Sequence, residues 1–205
     1  MVSISRVADQ YTLRRIQQIQ AITIVWMSVE AGVSLLAAWA AHSPALLAFG
    51  GDSAIELLSA AVVLWRFRAP LAHGRAERNA SRIAGALLLL LVGYVIVVSA
   101  MCLLGRNAPR PSYVGVGILI AAATIMPWLA KEKRKLSAAT GSATLRADAA
   151  QSGLCAYLSL IALLGLAVNA VWHVTWADPI AALAITPLIL WEAKEAIRGR
   201  ACACC

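Results

Sequence analysis

The chain has 205 residues, of which 61% are hydrophobic and 14% charged, and its mean hydropathy is +0.76. A soluble domain carries about 45–50% apolar and about 25% charged residues, so this composition excludes one and points to an integral membrane protein. The net charge of +8 would suit nucleic acid, but the basic residues lie between apolar runs and not on a soluble face, which excludes that partner.

Met1–Gln20 is polar, with Arg6, Arg14 and Arg15, and reads as an amphipathic start to the first helix. It has no apolar run of the kind a cleaved signal peptide needs. Six apolar spans follow, at about Ala21–Ala41, Ala45–Trp65, Ile83–Leu104, Tyr113–Ala130, Ala143–Val168 and Pro179–Trp191, the last extending towards Ile197. Most are near the length that crosses a hydrocarbon core of about 30 Å. His42-Ser43-Pro44 is a very short turn, Arg66–Arg82 an arginine-rich loop, Gly105–Ser112 a proline-containing loop and Lys131–Ser142 a basic linker. Asn169–Asp178 is a turn flanked by Trp172 and Trp176, as an interfacial aromatic belt would place them. Of the 18 Lys and Arg residues, all but Arg106 and Arg110 fall on one side of this arrangement. That places both termini in the cytosol. The expected organisation is a cytosolic lead over 1–20, a six-helix domain over 21–197 and a cysteine-containing cytosolic tail over 198–205. The fold class is all-α, polytopic, in an inner or plasma membrane.

Span two, ALLAFGGDSAIELLSAAVVLWRFR, carries Asp52 and Glu56 four residues apart, on one face of a helix and one turn from each other. Carboxylates at membrane depth are costly, so they face a bundle interior, a wet cavity or a cation. At about 1.5 Å per residue they lie about 10 and 17 Å below the outer edge, with Gln151 and Cys155 of span five about 12 and 18 Å above the inner one. Glu30 of span one lands near the same depth. Asp148, Gln151 and Cys155 follow i, i+3, i+7, one stripe of span five. Carboxylate, amide oxygen and thiolate together suit a divalent cation, and the thiolate tilts the choice to zinc or another borderline-soft ion.

The runs LLAFGGDSAIELLSAAVVLW and LRADAAQSGLCAYLSL resemble the second and fifth spans of the cation diffusion facilitator family. There a small-residue stretch leads to D-x-x-x-D, and two further ligands follow at a spacing of four. The resemblance covers nearly the whole chain and is strongest to a short branch without the family's cytosolic domain. It implies a cation-efflux transmembrane fold and proton-coupled efflux of divalent metal by a homodimer, through a four-ligand site between helices two and five. By position, Asp52 and Glu56 would be the span-two ligands, and Gln151 and Cys155 the span-five pair. Glu56 stands where Asp is usual, and Gln151 and Cys155 where His or Asp is expected, which leaves iron, manganese and cadmium open beside zinc. No prosthetic group is expected; the metal is cargo, and protons and membrane lipid are the other partners. Two crowded carboxylates do not both stay ionised cheaply, so metal entry would expel protons, and helices would rock around a fixed midplane site. Small residues such as Gly50, Gly51, Ser53, Ala149 and Gly153 would let helices approach closely.

Other readings stay open. Asp52 and Glu56 could be a buried pair bonded to Ser or Arg, although no Lys or Arg is expected at their depth. Glu30 serves equally as proton carrier or helix-packing group. Asp148 is an entry ligand, a partner of Arg146 or a helix cap. Cys102 is packing, and Cys202, Cys204 and Cys205 hand metal to the site, carry lipid near the membrane or form a dispensable tail, the last being the reading preferred. His42, His73 and His173 sit in loops, the first and last flanking the outer side as weak release sites. Asp178 starts span six, and Glu192 and Glu195 with Lys194 and Arg198 form a solvated helix face. The absence of a G-x-G-x-x-G run, a Walker loop or H-E-x-x-H argues against an ATP-driven pump or an intramembrane protease, so the expectation is not an enzyme. The alternatives to metal efflux are a proton-coupled exporter of organic cations using Glu30 and Asp52, and a non-transporting scaffold whose acids fix helix packing.

Overall fold

In the computed structural model, residues 2–68, 75–140 and 143–198 are described, and among them the chain is helical apart from two short turns and the loop over 104–112. The helices are α1 (Val2–Ala41), α2 (Pro44–Arg68), α3 (Arg75–Leu103), α4 (Tyr113–Thr140), α5 (Ala143–Trp172) and α6 (Ala177–Ile197). His73 and the tail cysteines Cys202, Cys204 and Cys205 lie outside the described residues.

Local chemistry sets the turns. α1 stops at His42, whose φ of 52° is left-handed, and Ser43 N–H returns to the Ala38 carbonyl at 3.2 Å. Ser43 then caps α2, its hydroxyl accepting from Leu46 N–H at 3.2 Å, with Pro44 at the first helical position, where no donor is missed. Gly105, at φ 77°, ends α3 in the same way, with Arg106 N–H on the Met101 carbonyl at 3.0 Å. His173, at φ 54°, lies directly after α5. The two loop histidines are thus exposed helix-terminating residues.

These three turns share one end of the bundle, here the turn end. The largest packing surfaces join α4 to α5, α3 to α6 and α1 to α2, and α2 packs against α1, α3, α5 and α6. The approach of α2 to α1 depends on Gly50, where a Cβ would meet Ser34 Cβ at 2.8 Å and Leu35 N at 3.1 Å. A larger core cluster includes Phe49, Leu119, Leu158 and Ile185. A smaller one includes Ile19, Met27, Met126, Leu129 and Cys155, and Trp26 packs against both. Large apolar side chains also face outward, among them Leu36, Trp39, Leu90 and Leu164, as lipid-facing helices require.

Four stretches, Arg14–Ala41, Arg82–Leu103, Tyr113–Thr140 and Asp148–Trp172, are long and apolar enough to cross a membrane. The chain is an all-α integral membrane protein. Three expected boundaries are corrected. The arginine-rich loop expected over Arg66–Arg82 is shorter, since α2 runs to Arg68 and α3 begins at Arg75. The basic linker beginning at Lys131 is a continuation of α4 through Thr140, and Asn169 belongs to α5. In each case the helix continues through polar residues that interrupt the apolar pattern. Asn169 donates to the Pro109 carbonyl at 3.3 Å, tying α5 to the α3–α4 loop.

Candidate metal centre

Asp52, Glu56 and Cys155 converge. Each offers a ligand atom within 4.8 Å of the other two, and the Cys155 thiol donates to Glu56 Oε2 at 3.2 Å. The helical offset of four residues puts both acids of α2 on the side facing α5. Asp52 is 1% exposed. Among the described residues no hydrogen-bond donor reaches either of its oxygens, nor Oε1 of Glu56. Buried polar groups normally find a partner, and one left without costs about 1–3 kcal/mol. Asp52, Glu56 and Cys155 are thus a group of close ligand atoms that could hold a cation. Gln151 lies one turn from Cys155 on the same side of α5 and is half-buried.

Glu30 is different. It is fully buried, but its Oε1 accepts from Ser53 Oγ at 2.7 Å and its Oε2 from Trp26 Nε1 at 2.7 Å. It stands beside the cluster with each oxygen satisfied, bracing α1 against α2. Asp148 is also elsewhere. Its Oδ1 accepts from Lys133 Nζ at 2.9 Å and its Oδ2 from Gln20 Nε2 at 2.7 Å, so α1, α4 and α5 meet there. Its ion-pair partner is Lys133, not Arg146, which is exposed.

Two residues of the site region were missed. Lys133, read as part of a linker, is 1% exposed and also donates to Ser152 Oγ at 2.9 Å. A buried cation therefore does lie inside the bundle, on the Asp148 and Ser152 side of α5. Its signal was its register, seven residues after Met126 and four after Leu129, on the buried stripe of α4. Glu192, read as part of a solvated face, instead brings its carboxyl against that of Asp52. Its Oε2 is buried with no hydrogen-bond partner among the described residues. Here too the register carried a signal, seven residues after Ile185 and three after Ile189 on the buried side of α6. The rest of the expected face holds, with Lys194 exposed and Glu195 pairing with Arg198 at 3.8 Å.

Asp178 does more than start α6. It is fully buried and accepts from Ser43 Oγ at 2.6 Å and from Ala45 N–H at 3.0 Å. It thereby satisfies an orphan donor in the first turn of α2 from a neighbouring helix. Cys102 is a buried free thiol.

The sequence matches the cation efflux transmembrane domain over residues 21–199. It is also similar to the manganese efflux system protein MneS of Bacillus subtilis (strain 168), at 26% identity over 178 residues, or 82% of this chain. The match spans 61% of that relative's length. With the family domain matched over most of its length and a helical bundle around α2 and α5, the chain belongs to the cation efflux family.

Proposed function

We propose that the chain carries a divalent metal cation across its membrane, bound between α2 and α5 by Asp52, Glu56 and Cys155 with Gln151 as the fourth donor, in exchange for protons. The observation that carries this reading is Asp52, a buried carboxylate with no donor on either oxygen among the described residues, which offers a ligand atom within 4.8 Å of those of Glu56 and Cys155. A carboxylate that the fold leaves bare at such depth is held for a cation or a proton. The protein works as a carrier and not as an enzyme.

All six helices are taken as spans with both termini cytosolic. α2 and α6, with 25 and 21 residues, measure about 37 and 31 Å at about 1.5 Å per residue, enough for a core of about 30 Å. The Lys and Arg distribution supports the orientation, and the site then falls near mid-depth. The outward apolar faces support pairing into a homodimer within lipid. The thiol of Cys155 favours zinc, whereas the relative is named for manganese efflux, so both ions belong in the test.

Proteoliposomes with an imposed pH gradient should take up metal and move protons in the opposite direction, with zinc, manganese, iron(II) and cadmium compared. Asp52→Asn should abolish uptake while the protein still elutes as a folded species. Undiminished uptake by that variant would sink the assignment.

A further inference from the structure

We propose that Glu192 of α6 is a direct ligand of the transported cation, so that the site draws on three helices and three carboxylates. The proposal rests on the transport reading above and extends it to a residue that neither the spacing of α2 nor that of α5 points to. Several observations converge. Glu192 lies on the buried side of α6, and α6 packs against both α2 and α5. Its carboxyl meets that of Asp52. Its Oε2 and both oxygens of Asp52 are buried without a donor among the described residues.

A mere surface glutamate would find a better place. Lys194 is exposed two residues on, and Glu195, one turn later, takes Arg198 as its partner. Side chains on a helix lean towards its N-terminus, which carries the Glu192 carboxyl from its Cα towards the depth of Asp52. Two carboxyl groups within hydrogen-bonding reach of each other share either a proton or a cation, since both cannot stay ionised there cheaply. Lys133, the nearest buried ammonium to this region, is already committed to Asp148 and Ser152.

A third carboxylate changes the chemistry of the site. Asp52, Glu56 and Glu192 supply hard oxygen donors against a single sulfur from Cys155. Donor sets dominated by carboxylate suit manganese and iron(II), whereas thiolate-rich sets suit zinc and cadmium. The cargo class is therefore a divalent ion that accepts mostly oxygen, with Glu192 as the residue that moves preference in that direction.

The test compares manganese and zinc uptake in proteoliposomes carrying the wild type, Glu192→Gln, Glu192→Asp and the surface control Glu195→Gln, with manganese binding to each purified protein measured alongside. Loss of one ligand should lower manganese binding and the manganese-to-zinc uptake ratio by about tenfold or more, since even an outer-shell partner of a metal site is worth about 10–100-fold. Glu192→Asp, which keeps the carboxylate, should retain most of the wild-type ratio, and Glu195→Gln all of it. A ratio unchanged in Glu192→Gln, or an equal fall for both ions, overturns the proposal. If Glu192→Gln does not fold, a Glu192→Asp ratio below one-tenth of wild type with binding intact also overturns it. Uptake that depends on Asp52 but ignores Glu192 leaves the transport reading standing, whereas no metal uptake by the wild type removes both.

Discussion

Asp52 of α2 and Asp178 of α6, which meets the first turn of α2, are both aspartates buried to within 1% of full enclosure, yet the fold treats them in opposite ways. Asp178 accepts a hydroxyl and a backbone N–H, one on each oxygen. Asp52 receives no donor among the described residues. The same division runs through the other acids of the bundle. Glu30 and Asp148 each have a donor on both oxygens, while Glu56 and Glu192 each keep one buried oxygen bare. Burial alone does not separate the two kinds of carboxylate in this molecule. The supply of donors does, because a satisfied carboxylate has little left to offer a cation, and a bare one is held at a cost to stability that a proton or a bound cation would offset.

The comparison can be broken most sharply at its two ends. Asp52→Asn should lower metal uptake by at least about a hundredfold in vesicle flux assays, losing the charge at the centre of the site, with thermal stability unchanged or raised because a bare buried acceptor becomes neutral. Asp178→Ala should do the reverse. Orphaning Ala45 N–H and the Ser43 hydroxyl should cost about 1–3 kcal/mol, read as a lower melting temperature, with uptake per folded molecule retained.

Next in size is the Lys133–Asp148 pair. Lys133→Met leaves Asp148 with Gln20 alone. Breaking a fully buried pair costs about 3–5 kcal/mol, and since Asp148 is about a third exposed the loss should be smaller, about 1–3 kcal/mol. Lys133→Met with Asp148→Leu should recover most of it in denaturation measurements. Full stability in the single variant would show that the pair contributes nothing to holding α4 on α5.

Cys155→Ser tests the soft side of the site. Replacing sulfur by oxygen should lower cadmium and zinc binding by about tenfold relative to manganese, read as a change in the order of competing ions. The smallest effect should come from Trp26→Phe, which leaves Glu30 with Ser53 on one oxygen and costs about 1 kcal/mol. A larger loss of transport than of stability in that variant would move Glu30 from the satisfied group to the working one.

Much of this was legible in the chain itself. Asp52 and Glu56 declare themselves by their spacing inside an apolar run, and Cys155 by its depth and its stripe with Gln151. The helical bundle follows from apolar runs separated by very short turns. What stayed hidden depends on how helices rotate and where they really end. Lys133 and Glu192 stand beyond the last long apolar stretch of their helices, where charge normally means solvent, and only the continuation of α4 and α6 carries them inward. The role of Asp178 depends on α6 starting beside the first turn of α2, a long-range meeting that neither local sequence encodes. The donors to Glu30, Trp26 and Ser53, likewise required knowing which faces of α1 and α2 meet.

The most direct test is metal uptake per folded molecule in proteoliposomes carrying Asp52→Asn beside those carrying Asp178→Asn. The account predicts uptake lost in the first and kept in the second, despite equal burial. Uptake kept in the first and lost in the second would contradict it.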